Sequence, residues 1–229
     1  MEARDRLALA LDVDDLVAAL RLARRLQPWF GTVKVGLELF TAAGPDAVAS
    51  MLNAGFRVFL DLKLHDIPTT VRRSARVAGA FGASYLTLHA HGGSVMLRAG
   101  VDGLAEGAAA AGLPTPEAIA VTILTSDAGA PVHILGRRVV TAVEGGCSGL
   151  VLAATDVREA KELAPRMIAV VPGIRLAQGE RHDQTRAATP QEALAAGADL
   201  LVVGRAVTAA DDPAAAAAAL AETVTAARA

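Results

Sequence analysis

The sequence predicts an α/β chain folded as one domain, a (β/α)8 barrel, and three observations predict it. Eight short β-rich runs recur along the 229 residues, longer Ala/Leu/Arg-rich helical stretches separate most of them, and no Pro/Ser-rich linker or low-complexity insert divides the chain. Alternating strands and helices build a parallel sheet. Eight such units spread evenly over a length that suits one barrel of about 200–250 residues point to a single closed TIM barrel over residues 1–229.

The strand runs are 7–12, 32–36, 57–63, 85–90, 118–124, 149–154, 167–173 and 200–205. After the last of them, Asp212 can cap a helix whose first turn holds Pro213, where a missing N–H costs nothing, so the alanine run that follows reads as helix and not linker. Between strands three and four, Pro68 sits near the start of another helix, with Asp66 and Ile67 in the turn before it.

Composition narrows the function classes. With 53% hydrophobic and 20% charged residues the chain is not disordered, and no uninterrupted apolar run reaches the roughly 18 residues of a membrane span. The first apolar run, 7–11, is too short for a signal-peptide core and leads straight into Asp12, Asp14 and Asp15, so no export is expected. Cys147 is the only cysteine, which excludes an internal disulfide and a cysteine metal cluster. A cytoplasmic enzyme is the simplest expectation. A formal net charge of −2, 3% aromatic residues and no basic tract leave no footprint for nucleic acid, and no membrane partner is expected, so an anionic ligand must be held by local groups.

Alternate residues of a barrel strand face the outer helices and the interior. In the first strand Leu7, Leu9 and Leu11 form the outward set, which turns Ala8, Ala10 and Asp12 inward. In the second, Val33 and Val35 pack outward and Lys34 inward. In the third, Val58, Leu60 and Leu62 face the helices and Phe59, Asp61 and Lys63 the interior. Three strands thus aim ionisable groups at one interior, each near the C-terminal strand end where barrel enzymes build their sites. A single buried ion costs several kcal/mol or more, whereas the alternating set Asp12, Lys34, Asp61, Lys63 neutralises itself. A structural ion-pair network is the bland explanation of each charge alone. Together, with Asp66 just beyond, they form a costly arrangement for stability only and mark a candidate catalytic centre.

The second half of the chain offers an anion site. Val171-Pro172-Gly173-Ile174-Arg175 and Val202-Val203-Gly204-Arg205 close strands seven and eight, whose loops commonly bind phosphate in barrels. Glycine admits an anion close to the backbone and arginine offers a planar fork of donors, while Gln184 could add a neutral one. His89 and His91 flank a strand end and raise the alternative of a metal, but a catalytic metal needs three converging protein ligands, and the carboxylates here are matched by lysines, so no metal is expected.

The run Phe59-Leu60-Asp61-Leu62-Lys63-Leu64-His65-Asp66-Ile67-Pro68-Thr69-Thr70 closely resembles the signature of bacterial orotidine 5'-monophosphate decarboxylases. Ala10-Leu11-Asp12, Val33-Lys34-Val35-Gly36, Val121-Thr122-Ile123-Leu124-Thr125-Ser126, the Pro-Gly-Ile-Arg block with Asp183-Gln184, and Val203-Gly204-Arg205 follow the same family order. The chain departs from the family chiefly between Ser126 and Gly149, which is shorter than usual. The resemblance implies loss of CO2 from C6 of orotidine monophosphate to give UMP, the last step of de novo pyrimidine synthesis, with no cofactor. Lys63 would stabilise and protonate the C6 carbanion, held by Asp61 and Lys34. Asp66, Ile67 and Thr70 would come from the partner subunit of a homodimer. Asp12 and Lys34 would contact the ribose, Thr125 the pyrimidine side, and Arg175, Gln184, Gly204 and Arg205 the phosphate and the closing loop. The rival readings are a related Mg2+-dependent sugar-phosphate barrel with an Asp-x-Lys-x-x-Asp run, against which the His-Asp-Ile-Pro and Pro-Gly-Ile-Arg blocks speak, and a catalytically silent nucleotide sensor, which fits an intact charged tetrad poorly.

Overall fold

Eight parallel strands close on themselves in sequence order: β1 (Leu7–Ala10), β2 (Thr32–Gly36), β3 (Arg57–Leu64), β4 (Tyr85–His89), β5 (Glu117–Val121), β6 (Gly149–Val151), β7 (Ile168–Val171) and β8 (Leu200–Val203), with β8 paired back onto β1. They belong to a computed structural model of the chain that describes residues 2–127, 129, 131, 133–175 and 187–227. The expected (β/α)8 barrel is therefore present. Around it run α1 (Leu16–Leu26), α2 (Leu37–Ala43), α3 (Pro45–Asn53), α4 (Pro68–Gly79), α5 (Gly93–Ala111), α6 (Ile134–Glu144), α7 (Val157–Leu163), α8 (Pro190–Ala196), α9 (Arg205–Thr208) and α10 (Pro213–Ala226). Among the described residues no helix is long and apolar enough to cross a membrane.

The local signals act where expected. Pro68 opens α4, and Asp212 accepts from the N–H groups of Ala214 and Ala215 at the head of α10. The carboxylate that caps α1 is Asp15, through Ala18, which leaves Asp12 available to the barrel mouth.

Strand parity divides the apolar residues into two cores. Leu7, Leu9, Leu11, Val33, Val35, Val58 and Leu60 pack in the layer between barrel and helices. Ala8, Ala10, Phe59, Ile119, Val170, Leu200 and Val202 fill the barrel itself, and the Phe59 ring meets Tyr85 edge-on at 5.8 Å. This inner plug is the floor of the site. On the outside, α4 and α5 cross with almost no space between their backbones: a Cβ on Gly107 would lie 1.8 Å from the carbonyl oxygen of Arg76.

The expected strand ends need correction. β1, β4, β5, β6, β7 and β8 stop one to three residues earlier than 12, 90, 124, 154, 173 and 205, and β3 runs one residue further, to Leu64. At the mouth the chain must leave the ladder to reach the next helix. Ala90–Gly92 and Ala154–Asp156 become single 3-10 turns, and Arg205 already belongs to α9. Apolar runs carry no mark of where ladder pairing ceases.

Candidate active site

The side chains that the strands turn inward above the Phe59 floor enclose a cavity of about 240 Å³ at the C-terminal mouth. Asp12, Lys34, Asp61 and Lys63 line one side, while Thr125, Arg175, Gly204 and Arg205 line the rest with Pro172, Gly173 and apolar Val121, Ile123, Val170 and Val202. Eight of the residues expected from sequence thus meet at one place. Gln184 lies outside the described residues. Asp66, Ile67 and Thr70 are not brought in: they stand on the exposed rim, Asp66 and Ile67 between β3 and α4 and Thr70 in the first turn of α4, with Ile67 66% exposed and the Asp66 carboxylate accepting from the Ile67 N–H.

The charged side of the cavity is a continuous alternating chain. Lys63 Nζ lies 2.8 Å from both carboxylate oxygens of Asp61. Lys34 Nζ lies 3.7 Å from Asp61 Oδ2 and 2.9 Å from Asp12 Oδ1. Asp61 is buried, and with an ammonium on each side it is not an unpaired ion in the interior. Asp12, at the open end, is more than half exposed along its side chain and so can turn to a ligand hydroxyl at little cost.

Lys63 itself is held in an uncommon backbone conformation, with φ +50°, and it is the only non-glycine residue with positive φ among those described. Sequence reasoning did not find what holds it. Thr87, wholly buried on β4, donates its hydroxyl to Asp61 Oδ1 at 3.0 Å and accepts the Lys63 N–H at 2.8 Å. The available signal was parity, since Thr87 is the polar residue between the inward Tyr85 and His89 positions.

Opposite the charged chain, Gly173 takes φ +77° just after β7, turning the strand end over the mouth and bringing in Arg175, which is buried although it is an arginine. Gly204 precedes the short helix α9, and Arg205 begins it. The ends of β7 and β8 thus bring cationic groups and a glycine-rich backbone to the cavity that the lysines line.

A family model described as orotidine 5'-phosphate decarboxylase / HUMPS matches residues 5–220. The chain belongs to that family. Among curated relatives, orotidine 5'-phosphate decarboxylase of Moorella thermoacetica is 45% identical, over 96% of this chain and 92% of the relative, and that of Anaeromyxobacter dehalogenans is 44% identical, over 96% and 99%. The crystal structure of orotidine 5'-phosphate decarboxylase from Lactobacillus acidophilus superposes with a TM-score of 0.80 at 33% identity, over 96% of this chain and 99% of that one.

In this member of the orotidine 5'-phosphate decarboxylase / HUMPS family, three histidines gather behind the lysines. The rings of His65 and His89 stack at 5.4 Å, and His91 stands edge-on to both at 5.6 and 6.3 Å. The His91 N–H donates to His89 Nδ1, so the neutral His89 ring carries its proton on Nε2. Burial, then the charges of His65, Arg138, His91 and Lys63, push His89 down to about 4, which keeps the ring neutral at physiological pH. Among the described residues no three His, Cys, Asp or Glu side chains converge so as to hold a metal ion.

Proposed function

We propose that the chain decarboxylates orotidine 5'-monophosphate to UMP and CO2, the last step of UMP biosynthesis, without a cofactor and with Lys63 as proton donor. Departure of CO2 leaves an electron pair in the ring plane at C6, where the π system cannot delocalise it. A nearby fixed cation lowers that carbanion, and its proton then completes UMP. The observation that carries this reading is the Lys63 ammonium, clamped at 2.8 Å by both Asp61 oxygens and facing the cavity. Lys34 holds Asp61 from the far side. With Asp12 it forms the pair suited to the ribose hydroxyls, Thr125 suits the pyrimidine edge, and Arg175, Gly204 and Arg205, with Gln184, suit the phosphate.

Magnitude requires the phosphate end to contribute. A barrier reduction of about 23 kcal/mol is the upper range for enzymes, and one oriented donor typically supplies roughly 3–4 kcal/mol. Binding energy gathered at the phosphate, remote from C6, can be used to fix the ring against Lys63.

The second part of the proposal is a homodimer of single-domain chains with shared sites. Asp66, Ile67 and Thr70 project from the rim outside their own cavity, and the apolar Ile67 side chain is largely exposed there. In a two-fold dimer that rim would enter the partner's mouth, where Asp66 stands by the substrate carboxylate and favours its loss. Neither nucleic acid nor membrane has a part in this reading, and the cytoplasm, where a reduced Cys147 is at home, is the proposed location.

Purified protein is expected to consume orotidine monophosphate, followed by the loss of its ultraviolet absorbance, equally well after EDTA treatment. No turnover in confirmed dimeric protein would overturn the assignment, and turnover that needs Mg2+ would favour the sugar-phosphate barrels instead. Mixing inactive Asp61→Ala and Asp66→Ala chains should restore one intact site per mixed dimer. No recovery despite subunit exchange would refute the shared site.

A further inference from the structure

The pairing of β3 with β4 is broken where the catalytic lysine sits. Leu60 is in register with Leu86 and Leu64 with Leu88, so four steps along β3 are matched by only two along β4. Two surplus residues must leave the regular ladder, and Lys63, with its positive φ, lies in that stretch. Its N–H has lost the strand partner that regular pairing would provide. Thr87 is the residue of β4 between the two registers, and its hydroxyl takes the partner's place by accepting from Lys63 N at 2.8 Å. The hydroxyl has one proton, and that proton goes to Asp61 Oδ1 at 3.0 Å. One buried side chain therefore fastens both the backbone of Lys63 and the carboxylate that clamps its ammonium.

We propose that Thr87 is a positioning residue for the decarboxylation, an inference that rests on the reading of Lys63 as proton donor. By holding the Lys63 backbone at one end and Asp61 at the other, Thr87 fixes where the ammonium meets C6. Thr87 is wholly buried and is absent from the cavity wall, so it touches no substrate and acts only through these two residues. Loss of the hydroxyl frees Lys63 to shift without opening or filling the binding site.

The test compares Thr87→Val, nearly isosteric but without a hydroxyl, with Thr87→Ser, which keeps it. A small misplacement of a reacting group can cost about 100-fold in rate, so Thr87→Val is expected to lose about 10- to 100-fold in kcat, with KM and the UMP inhibition constant within about threefold of wild type. Thr87→Ser should return kcat to within about threefold of wild type, a rescue that a role in bulk packing would not give. If valine beside Asp61 prevents folding, Thr87→Cys, similar in size with a weaker donor, should show the same split of kcat from KM. Lys63→Ala is the control for the underlying reading. If that variant still turns over, the proton-donor assignment fails. If it is inactive while Thr87→Val has wild-type kcat, or if Ser and Val lose kcat equally, the Thr87 proposal fails alone.

Discussion

Replacing Lys63 by glycine should leave a more stable protein than replacing it by alanine, the reverse of the order at an ordinary strand position. Both variants lose the ammonium and its bonds to Asp61, so that cost cancels in the comparison and only the backbone differs. At φ +50° a residue with a Cβ is strained by roughly 1–2 kcal/mol, and glycine is not. Glycine also gives the unfolded chain more freedom, a loss of roughly 0.5–1 kcal/mol relative to alanine. Taking the middle of each range, about 1.5 less about 0.75 leaves glycine ahead by about 0.75 kcal/mol, or roughly 2 °C in Tm for a chain of this size. The assay is thermal or urea unfolding of the two variants by far-ultraviolet circular dichroism, at one protein concentration because the stability of the proposed dimer would depend on it. Both should lack turnover. A Lys63→Gly protein less stable than Lys63→Ala would show that no strain is stored there, and would remove the argument that the fold holds this backbone against its preference.

Three further outcomes follow from features away from the reacting atoms. Because His89 is held near 4 when folded and returns to an ordinary value of about 6.5 when unfolded, its neutral form contributes stability that is whole above pH 6.5 and is lost as pH falls towards 4. At pH 5 the loss is at most about 2 kcal/mol, and screening at this part-exposed ring roughly halves it, so His89→Gln should flatten the fall in Tm between pH 7.5 and 5 by about 2–4 °C. An unchanged slope would contradict it. Burial pushes the Cys147 thiol up to about 12, so its thiolate at pH 8 is about a thousandfold scarcer than for a free cysteine, and a disulfide reagent should label it only as the chain unfolds. Gly107→Ala sets a methyl 1.8 Å from the Arg76 carbonyl oxygen and must part α4 from α5, which should cost about 3 kcal/mol and lower Tm by roughly 6–12 °C; a drop under about 2 °C would mean the crossing is looser than the structure shows.

Much of this molecule could be read from sequence because a barrel strand has two unlike faces. Leucines at 7, 9 and 11 against alanines at 8 and 10 reveal which side holds the helices and which the narrow interior, and the same parity puts Lys34, Asp61 and Lys63 inside. The motifs at the ends of β7 and β8 were also legible, since Gly173 and Arg175 are needed by a turn and by charge. What escaped was whatever depends on two strands at once. The register break between Leu60 and Leu64 needs β4 beside β3, and without it the backbone of Lys63 has no sequence mark and Thr87 has only its inward parity. The exclusion of Asp66 from its own cavity is of the same kind, because the resemblance named the residue as a partner's contribution while residue types alone could not say which mouth it would face.

The two halves of the barrel interior divide the demands of folding from those of chemistry. Below, Ala8, Phe59, Ile119, Val170 and Leu200 close the barrel with apolar contacts that ask nothing of polar groups. Above, an alternating row of carboxylates and ammoniums is stable because each charge answers its neighbour, and Asp61, buried between two ammoniums, is the member whose loss would cost the row most. The inner part of the row is rigid because Lys63 and Asp61 cannot part without weakening the match of a buried charge, while Asp12 at the open end can still turn. A proton donor for a localised carbanion needs that rigidity, since water would surround a mobile ammonium and weaken its field at the developing charge. The departures from regular structure therefore cluster where the row meets the cavity: the broken ladder, the positive φ of Lys63 and the buried Thr87 hydroxyl lie within a few residues of one ammonium, and the apolar floor beneath them supplies the stability against which they are held.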